Sequence, residues 1–469
     1  MKYRWPIIFW SLCATLFAAC IVLQFDGAYG QDAYEYLRYS QVLKNNVLTG
    51  GELEAFNWPM GYPLMIAIFS LVFDELASGQ LVSLLFYGGT LVVSWKFIRL
   101  LYPAATTNTV GLYILTFLAF SPYFLRFGLS SMSEAMCSFF VTASFYSYYR
   151  FHKNQGSIAL LTGLYCMIGA LLTRNAALIM VLIPGIAAVY HLIRNRNFGM
   201  LALSMPGVAV VALSIFAVPT AQLAGDGVEY SDILNPMNWF NLTAEGSHGI
   251  VHKSVPNLFY SFFAFFHPAY FFAGTFFLTI ALLKRFPIQK VMVASIVLYS
   301  LFIGTIYFQN KRFLVIEIPL VVVLFYGSFE MISARMKQPF VTIALTVSLL
   351  INLGLAGYSF RIVYKQQQLE LELAESMKTH QGETLYTFWI DPALQGRGLS
   401  FDYINLWKDT IEVNREKALI LFNEGQFEQQ WDKHVLMHNW RLLQRNGIAP
   451  MDRFSNGWAL YSYPAKMEE

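Results

Sequence analysis

Gln24–Leu64, QFDGAYGQDAYEYLRYSQVLKNNVLTGGELEAFNWPMGYPL, is the stretch whose reading decides the fold of this chain. It is a polar interruption of about forty residues between two apolar segments, and connections of that length usually carry function. Asp32 sits in it within Gly-Gln-Asp-Ala-Tyr-Glu-Tyr, after a first apolar run and before an amphipathic one. Tyr36, Tyr39, Ser40, Leu43 and Val47 then recur at helical spacing while Glu35, Arg38 and Lys44 fall elsewhere. A Trp-Pro-Met-Gly-Tyr-Pro turn leads into Tyr62–Phe73, an apolar run too short to cross a bilayer. Both segments read as helices in the outer membrane interface, framing a cleft.

Composition supports a membrane setting. The 469 residues are 56% hydrophobic, 17% aromatic and only 13% charged, against roughly a quarter charged in soluble proteins. Apolar runs place about eleven transmembrane helices, near 6–23, 79–101, 108–126, 132–150, 157–173, 175–193, 200–222, 258–283, 289–308, 313–332 and 340–361. With the N-terminus inside, Lys2/Arg4, Lys96/Arg99, Arg150/Lys153, Arg194/Arg196, Lys284/Arg285/Lys290 and Arg335/Lys337 all fall on the inner side, as the positive-inside rule expects. An odd helix count then puts the segments 24–78 and 224–257 outside, together with the C-terminal tail. Lys2, Arg4 and the following apolar run resemble a signal peptide, and Leu16–Cys20 resembles a lipoprotein box, but Phe17 occupies an aliphatic position and the first helix fits the topology uncleaved.

The reading is therefore a mainly α, polytopic membrane protein, with a transmembrane domain over 1–364 and a small extracytoplasmic α/β domain over 365–469. In that tail, Gln366–Met377, Leu406–Val413 and Phe427–Arg445 read as helices; Thr384–Ile390, Ala418–Phe422 and Trp458–Tyr463 read as strands. The tail holds 11 basic against 15 acidic residues and the rest 21 against 14. An acidic soluble portion excludes a nucleic-acid partner, which would want a basic patch there. Cys13, Cys20, Cys137 and Cys166 lie in apolar segments without metal-ligand spacing. A P-loop, a Gly-rich dinucleotide turn and an HExxH motif are absent, so nothing points to ATP, NAD or zinc. The Asn241-Leu-Thr243 triplet carries no weight.

Asp32 has two readings. With Glu35 it forms the spacing of a helix capping box; alternatively it is a general base that takes the proton from an acceptor hydroxyl. Arg126, Arg174, Lys311 and Arg312 are cations at expected outer helix ends, where they either snorkel to headgroups or converge on a phosphate-bearing lipid. Glu134 either suits a helix N-terminus or acts as a second acid, positioning the acceptor or binding a divalent metal beside Asp32. His267 and Glu317 lie deeper, where ionisable groups invite a functional reading, although His267 before Pro268 also suits a hydrogen bond across helices. Tyr34, Trp58, Tyr62, His267 and Glu317 are candidate cavity-lining residues.

Gly30-Gln-Asp32-Ala-Tyr-Glu-Tyr-Leu and Asn57-Trp-Pro-Met-Gly-Tyr-Pro-Leu64, followed by Ser133-Glu134, Leu172-Thr-Arg174-Asn-Ala and Lys311-Arg312-Phe before Pro319, resemble the GT-C integral-membrane glycosyltransferases. The likeness covers about residues 6–330 and is closest to the bacterial branch of protein O-mannosyltransferases, aminoarabinose transferase and Rgt-type enzymes. It implies a transferase of the bacterial inner membrane that moves a sugar from a polyprenyl-phosphate donor to an acceptor hydroxyl on the periplasmic face. The acceptor, whether lipid, glycan or protein, is not read from the residues. Asp32 would be the first-loop catalytic acid and the outer cations would hold the departing phosphate. Many relatives carry a second acid directly after the first; Ala33 stands there in this chain, which leaves Glu35 or Glu134. A single displacement would invert the anomeric carbon. The competing readings are a lipid or solute transporter or flippase, for which internal repeats and midplane polar sites are the expected marks, and a lipid-linked glycan ligase or polymerase, for which a large late outer loop is expected.

Overall fold

The computed structural model describes residues 4–51, 53, 56, 58–154, 156–216, 235–246, 249–252, 254–284, 289–306, 310–407, 418–431 and 434–463. Residues 224–234, 247, 248 and 253 of the expected loop 224–257 and residues 408–413 of the expected helix Leu406–Val413 fall outside these residues, as does Lys2. The chain divides into two compact units. One comprises Met1–Gly27, Tyr39–Ala244 and His252–Arg361; the other Ala28–Arg38, Glu245–Val251 and Ile362–Glu469.

The first unit is helical. Its early elements are α1 (Arg4–Val22), α2 (Gly30–Thr49, shared with the second unit), α3 (Gly61–Phe69), α4 (Glu75–Leu101), α5 (Thr107–Ile114), α6 (Pro122–Leu129), α7 (Glu134–Asn154), α8 (Ser157–Thr173), α9 (Ala177–Arg194) and α10 (Phe198–Phe216). Among the described residues, five helices are long and apolar enough to cross a membrane: α1, α4, α9, Lys311–Ser333 and Gln338–His380. A sixth span arises if Thr107–Ala119 and Pro122–Leu129 are counted together. The other expected segments form helices that are shorter or less apolar, so five or six of the expected spans meet this test.

Two departures from the expected helices have local causes. The segment expected as one span over 108–126 bends by 74°. A π-helical turn at Leu115–Ala119 precedes Ser121 and Pro122, and a proline can begin a helix but cannot continue one. The segment expected over 258–283 breaks into Asn257–Tyr260, Phe263–Phe265, Pro268–Phe271 and Gly274–Lys284. There His267 Nδ1 accepts the Ala269 amide at 3.2 Å and starts a new turn at Pro268.

Small residues set how closely these helices pack. A Cβ on Gly88 would come within 2.7 Å of Trp10 and 2.8 Å of Cys13, so α1 lies directly on the backbone of α4. On α4 and α7 the buried Thr90, Thr142 and Ser144 send their hydroxyls to their own helix at Phe86, Ser138 and Val141 carbonyls, 2.6–2.7 Å away. Their polar atoms are thereby satisfied without a cross-helix partner. Elsewhere an aromatic cluster forms the core: Tyr113 packs on Tyr326 and Phe329 and donates to the Val322 carbonyl at 2.9 Å. Leu64, Ile68 and Leu71 on and just after α3, and Ile343, Val347 and Leu350 on Gln338–Met377, are left exposed. Apolar side chains in such rows suit contact with lipid.

The second unit is built on a five-stranded mixed sheet. A separate two-stranded sheet joins β1 (Thr243–Gly246) and β2 (Gly249–His252); the larger one comprises β3 (Thr384–Thr387), β4 (Asp402–Asn405), β5 (Ala418–Phe422), β6 (Ala449–Arg453) and β7 (Ala459–Tyr463), in the order β4-β3-β5-β7-β6. β3 runs parallel to β4 and β5, and β7 antiparallel to β5 and β6. Every residue of β5 is buried, and Trp440 stacks on Phe422 with ring centroids 4.4 Å apart. The stretch expected as one helix over Phe427–Arg445 is two, Glu424–Trp431 and Val435–Arg445, because His434 accepts the Leu436 amide and begins the second.

Candidate functional site

Helices α7 and α8 form a hairpin whose open end brings together three of the charged residues singled out above. Glu134 opens α7, Arg174 caps the C-terminus of α8, and Arg312 lies in the 3-10 turn Lys311–Glu317, whose Asn310 side chain accepts the Arg312 amide at 3.2 Å. Glu134 is fully buried. Its Oε1 accepts a charge-assisted hydrogen bond from Arg174 Nη1 and lies 3.7 Å from Arg312 Nε. Arg174 also reaches Ser133 Oγ at 3.4 Å. Both guanidinium groups stand over the Phe313 ring, 5.6 and 5.8 Å from its centroid. Each arginine side chain keeps 14% of its surface exposed against none for Glu134. One carboxylate therefore sits behind two largely buried guanidiniums, each of which keeps a small exposed edge. Glu134 Oε2 accepts no hydrogen bond from the described residues.

The remaining candidates of this unit are placed as follows. Arg126 is buried on α6, its guanidinium 5.9 Å from the Tyr123 ring and 5.4 Å from the Phe127 ring, rather than extended outward as snorkelling would need. Lys311 is exposed, and its carbonyl accepts from the Tyr270 hydroxyl at 2.8 Å. His267 stacks on Phe263 at 4.9 Å while capping its own short helix, so the hydrogen bond the structure gives it is local rather than across helices. Glu317 is fully buried and accepts from Ser300 Oγ at 3.1 Å. Trp58 packs edge-on against Phe56 at 5.5 Å. Tyr62 is fully buried between α3 and α4, its hydroxyl 2.7 Å from Ser83 Oγ and 3.1 Å from the Gly79 carbonyl.

Asp32, Tyr34 and Glu35 belong to the second unit. The helix begins at Gly30, so Asp32 lies inside the first turn and is not its cap. Glu35 pairs with Arg38 at 3.0 Å rather than reaching back, and the capping box does not form. Asp32 is half-buried, one turn ahead of the buried Tyr36. Tyr34 donates its hydroxyl to Glu370, a nearly fully buried carboxylate that Arg397 also meets at 3.2 Å; the Arg397 guanidinium lies 6.0 Å from the Tyr34 ring. Glu370 and Arg397 were not singled out in the sequence. A signal existed: Glu370 falls on the same helical stripe as the buried Leu373 and Met377. Gln338–Met377 runs for 40 residues, about 60 Å or twice a bilayer core, so Glu370 lies past its apolar half. Burial pushes the Glu370 carboxyl above the ordinary carboxylate range, while Tyr34, Arg397 and Gln366 pull it back.

Among the described residues no group of three or more His, Cys, Asp or Glu side chains is arranged to hold a metal ion.

The class is a mainly helical fold with five candidate membrane spans among the described residues and a small C-terminal mixed sheet. The particular likeness is to ArnT, an aminoarabinose transferase. The structure of ArnT from Cupriavidus metallidurans bound to undecaprenyl phosphate superposes with a TM-score of 0.57 and 11% sequence identity, covering 98% of both chains. The apo structure of the same protein gives a TM-score of 0.53 and 11% identity over 96% of this chain and 97% of that one. No family model and no curated protein sequence matches the chain.

Proposed function

We propose that this chain is an integral-membrane glycosyltransferase that moves a sugar from a polyprenyl-phosphate donor to an acceptor hydroxyl at the outer face of the bacterial inner membrane. The observation that carries the reading is the convergence of Arg174 and Arg312 on the buried Glu134, in a chain whose fold matches ArnT over nearly its full length. A lipid phosphate leaves as an anion, and two guanidiniums preset by one buried carboxylate meet that charge without reorganising. Glu134 acts through the arginines, holding both forks over Phe313; Lys311, and Arg126 on α6, are further candidates for the phosphate.

Asp32 is the proposed general base. It takes the proton from the acceptor hydroxyl as that oxygen bonds to the anomeric carbon, the bond from that carbon to the phosphate oxygen breaks, and the electron pair leaves with the polyprenyl phosphate. One displacement inverts the anomeric centre. Glu35, paired with Arg38, and Glu134 are the candidates for a second acid. We assign residues 1–364 to the transmembrane domain, with about eleven crossings, and 365–469 to an extracytoplasmic α/β domain. Transfer of radiolabelled sugar from polyprenyl-phosphate donors by the purified chain tests the reading. Asp32→Asn should lose transfer while still binding polyprenyl phosphate; undiminished transfer by that variant removes Asp32 from the chemistry.

A further inference from the structure

The far end of the α7–α8 hairpin carries a second polar site. α7 is 21 residues long, about 30 Å of helix, so its last turn lies that far from the Glu134 cluster. There α7, α8, α9 and the turn into α10 line a cavity of about 380 Å³ that is open to the surface. Its polar lining is His152, His191, Arg194, Ser157, Asn195 and Asn197, and none of its lining residues is acidic. The two imidazoles stand edge to face with centroids 5.0 Å apart. Asn197 Nδ2 donates to Ser157 Oγ at 3.2 Å, linking the residue that precedes α10 to the first residue of α8. Both lie at helix N-termini, where unpaired amides and the helix dipole favour an anion.

The turn that presents this edge is strained. Arg196 has φ of 53°, its amide bonds to the Ile193 carbonyl, and the Asn197 amide bonds to the Leu192 carbonyl at 2.9 Å. That is a Schellman cap with an arginine where glycine is favoured, a conformation costly for a residue with a Cβ. Strain of this kind collects at functional positions. Last-turn bases alone would suit any helix C-terminus. Here, however, they line one concavity with two N-terminal polar residues, whereas Lys153 of the same turn points to the Leu100 carbonyl instead, at 2.9 Å.

We propose that this cavity binds a phosphoryl anion, supplied by an anionic phospholipid headgroup. Basic pockets between membrane helices bind such headgroups, and each cation contributes roughly fivefold in affinity.

The test measures thermal unfolding of the full chain in neutral detergent against added phosphatidylglycerol, phosphatidylcholine or inorganic phosphate. Phosphatidylglycerol should stabilise the protein and phosphatidylcholine should not. Arg194→Gln should weaken the apparent affinity about fivefold, and Ser157→Leu, which fills the cavity without altering charge, should abolish the response. Lys153→Gln should leave it unchanged. Should Ser157→Leu fail to fold, Arg194→Gln and His191→Gln, both near the surface, carry the same comparison with Lys153→Gln. A response to inorganic phosphate alone, lost in the same variants, would keep the site and name free phosphate as its ligand. Equal responses to both lipids, an intact response in Ser157→Leu, or equal losses in Lys153→Gln and Arg194→Gln would overturn the proposal in favour of diffuse surface charge.

Discussion

Glu134→Gln separates a structural charge from one that serves the phosphate. In the wild type a single carboxylate faces two guanidiniums; at 3.7 Å from Arg312 an effective dielectric of about 20 gives a gross attraction of roughly 4 kcal/mol. The net worth is smaller, because the carboxylate is fully buried and its desolvation offsets most of that attraction. Removing one partner still leaves two largely buried cations facing each other, and breaking a buried pair costs about 3–5 kcal/mol. The 14% exposure of each arginine side chain places the expected loss near the lower figure. Thermal unfolding in detergent should show a fall in Tm of several degrees, and Arg174→Gln added to Glu134→Gln should recover part of it, with a coupling of about 1–3 kcal/mol. Function should split in the opposite sense. The cluster becomes more positive by one charge, so polyprenyl phosphate should bind more tightly while turnover falls, since product leaves slowly and the arginines lose their brace. Additive stability losses together with unchanged phosphate affinity would refute the reasoning.

Other outcomes follow from the same structure. Asp32→Asn should lower transfer by about 10²–10⁴-fold, the range for a general base, with Tm and polyprenyl-phosphate binding held. Tyr34→Phe removes the hydroxyl that meets buried Glu370 and should cost about 1.5–3 kcal/mol, read as faster hydrogen exchange over the Gln366–Met377 end of its helix. Trp440→Ala opens the core beneath Phe422 and should destabilise the sheet unit by about 3–5 kcal/mol, seen as earlier proteolysis after residue 365. Gly88→Ala drives a methyl group into Trp10 and Cys13 and should cost about 1–3 kcal/mol, a loss that Trp10→Ala should partly relieve.

What the sequence disclosed follows the physics of each signal. Long apolar runs reveal spans because hydrocarbon demands them, so α1, α4, α9, Lys311–Ser333 and Gln338–His380 were legible. The bend before Pro122 and the breaks around His267 were not, since hydropathy averages over the single residues that interrupt a helix. In the tail, β5 could be read from Ala-Leu-Ile-Leu-Phe, whereas β4 and β6 could not. Both are edge strands in which no residue is fully buried, and Pro450 sits in β6. For the candidate site, composition and topology singled out Glu134, Arg174 and Arg312 separately. That one carboxylate draws both arginines together depends on how α7, α8 and the Lys311–Glu317 turn pack, and no sequence spacing encodes it. Glu370 and Arg397 escaped because an acid on a charged-looking helix reads as solvated unless its stripe is followed onto the buried face.

The most direct measurement is transfer of radiolabelled sugar from a panel of polyprenyl-phosphate donors by the purified chain in lipid nanodiscs, alongside the Arg174→Gln/Arg312→Gln double variant assayed well below its own lowered Tm. The account expects label to leave at least one donor in the wild type, and transfer to fall at least a hundredfold in the double variant as donor affinity collapses. Equal transfer by the two proteins, or a wild type that moves no sugar and binds polyprenyl phosphate no better than the double variant, would contradict it.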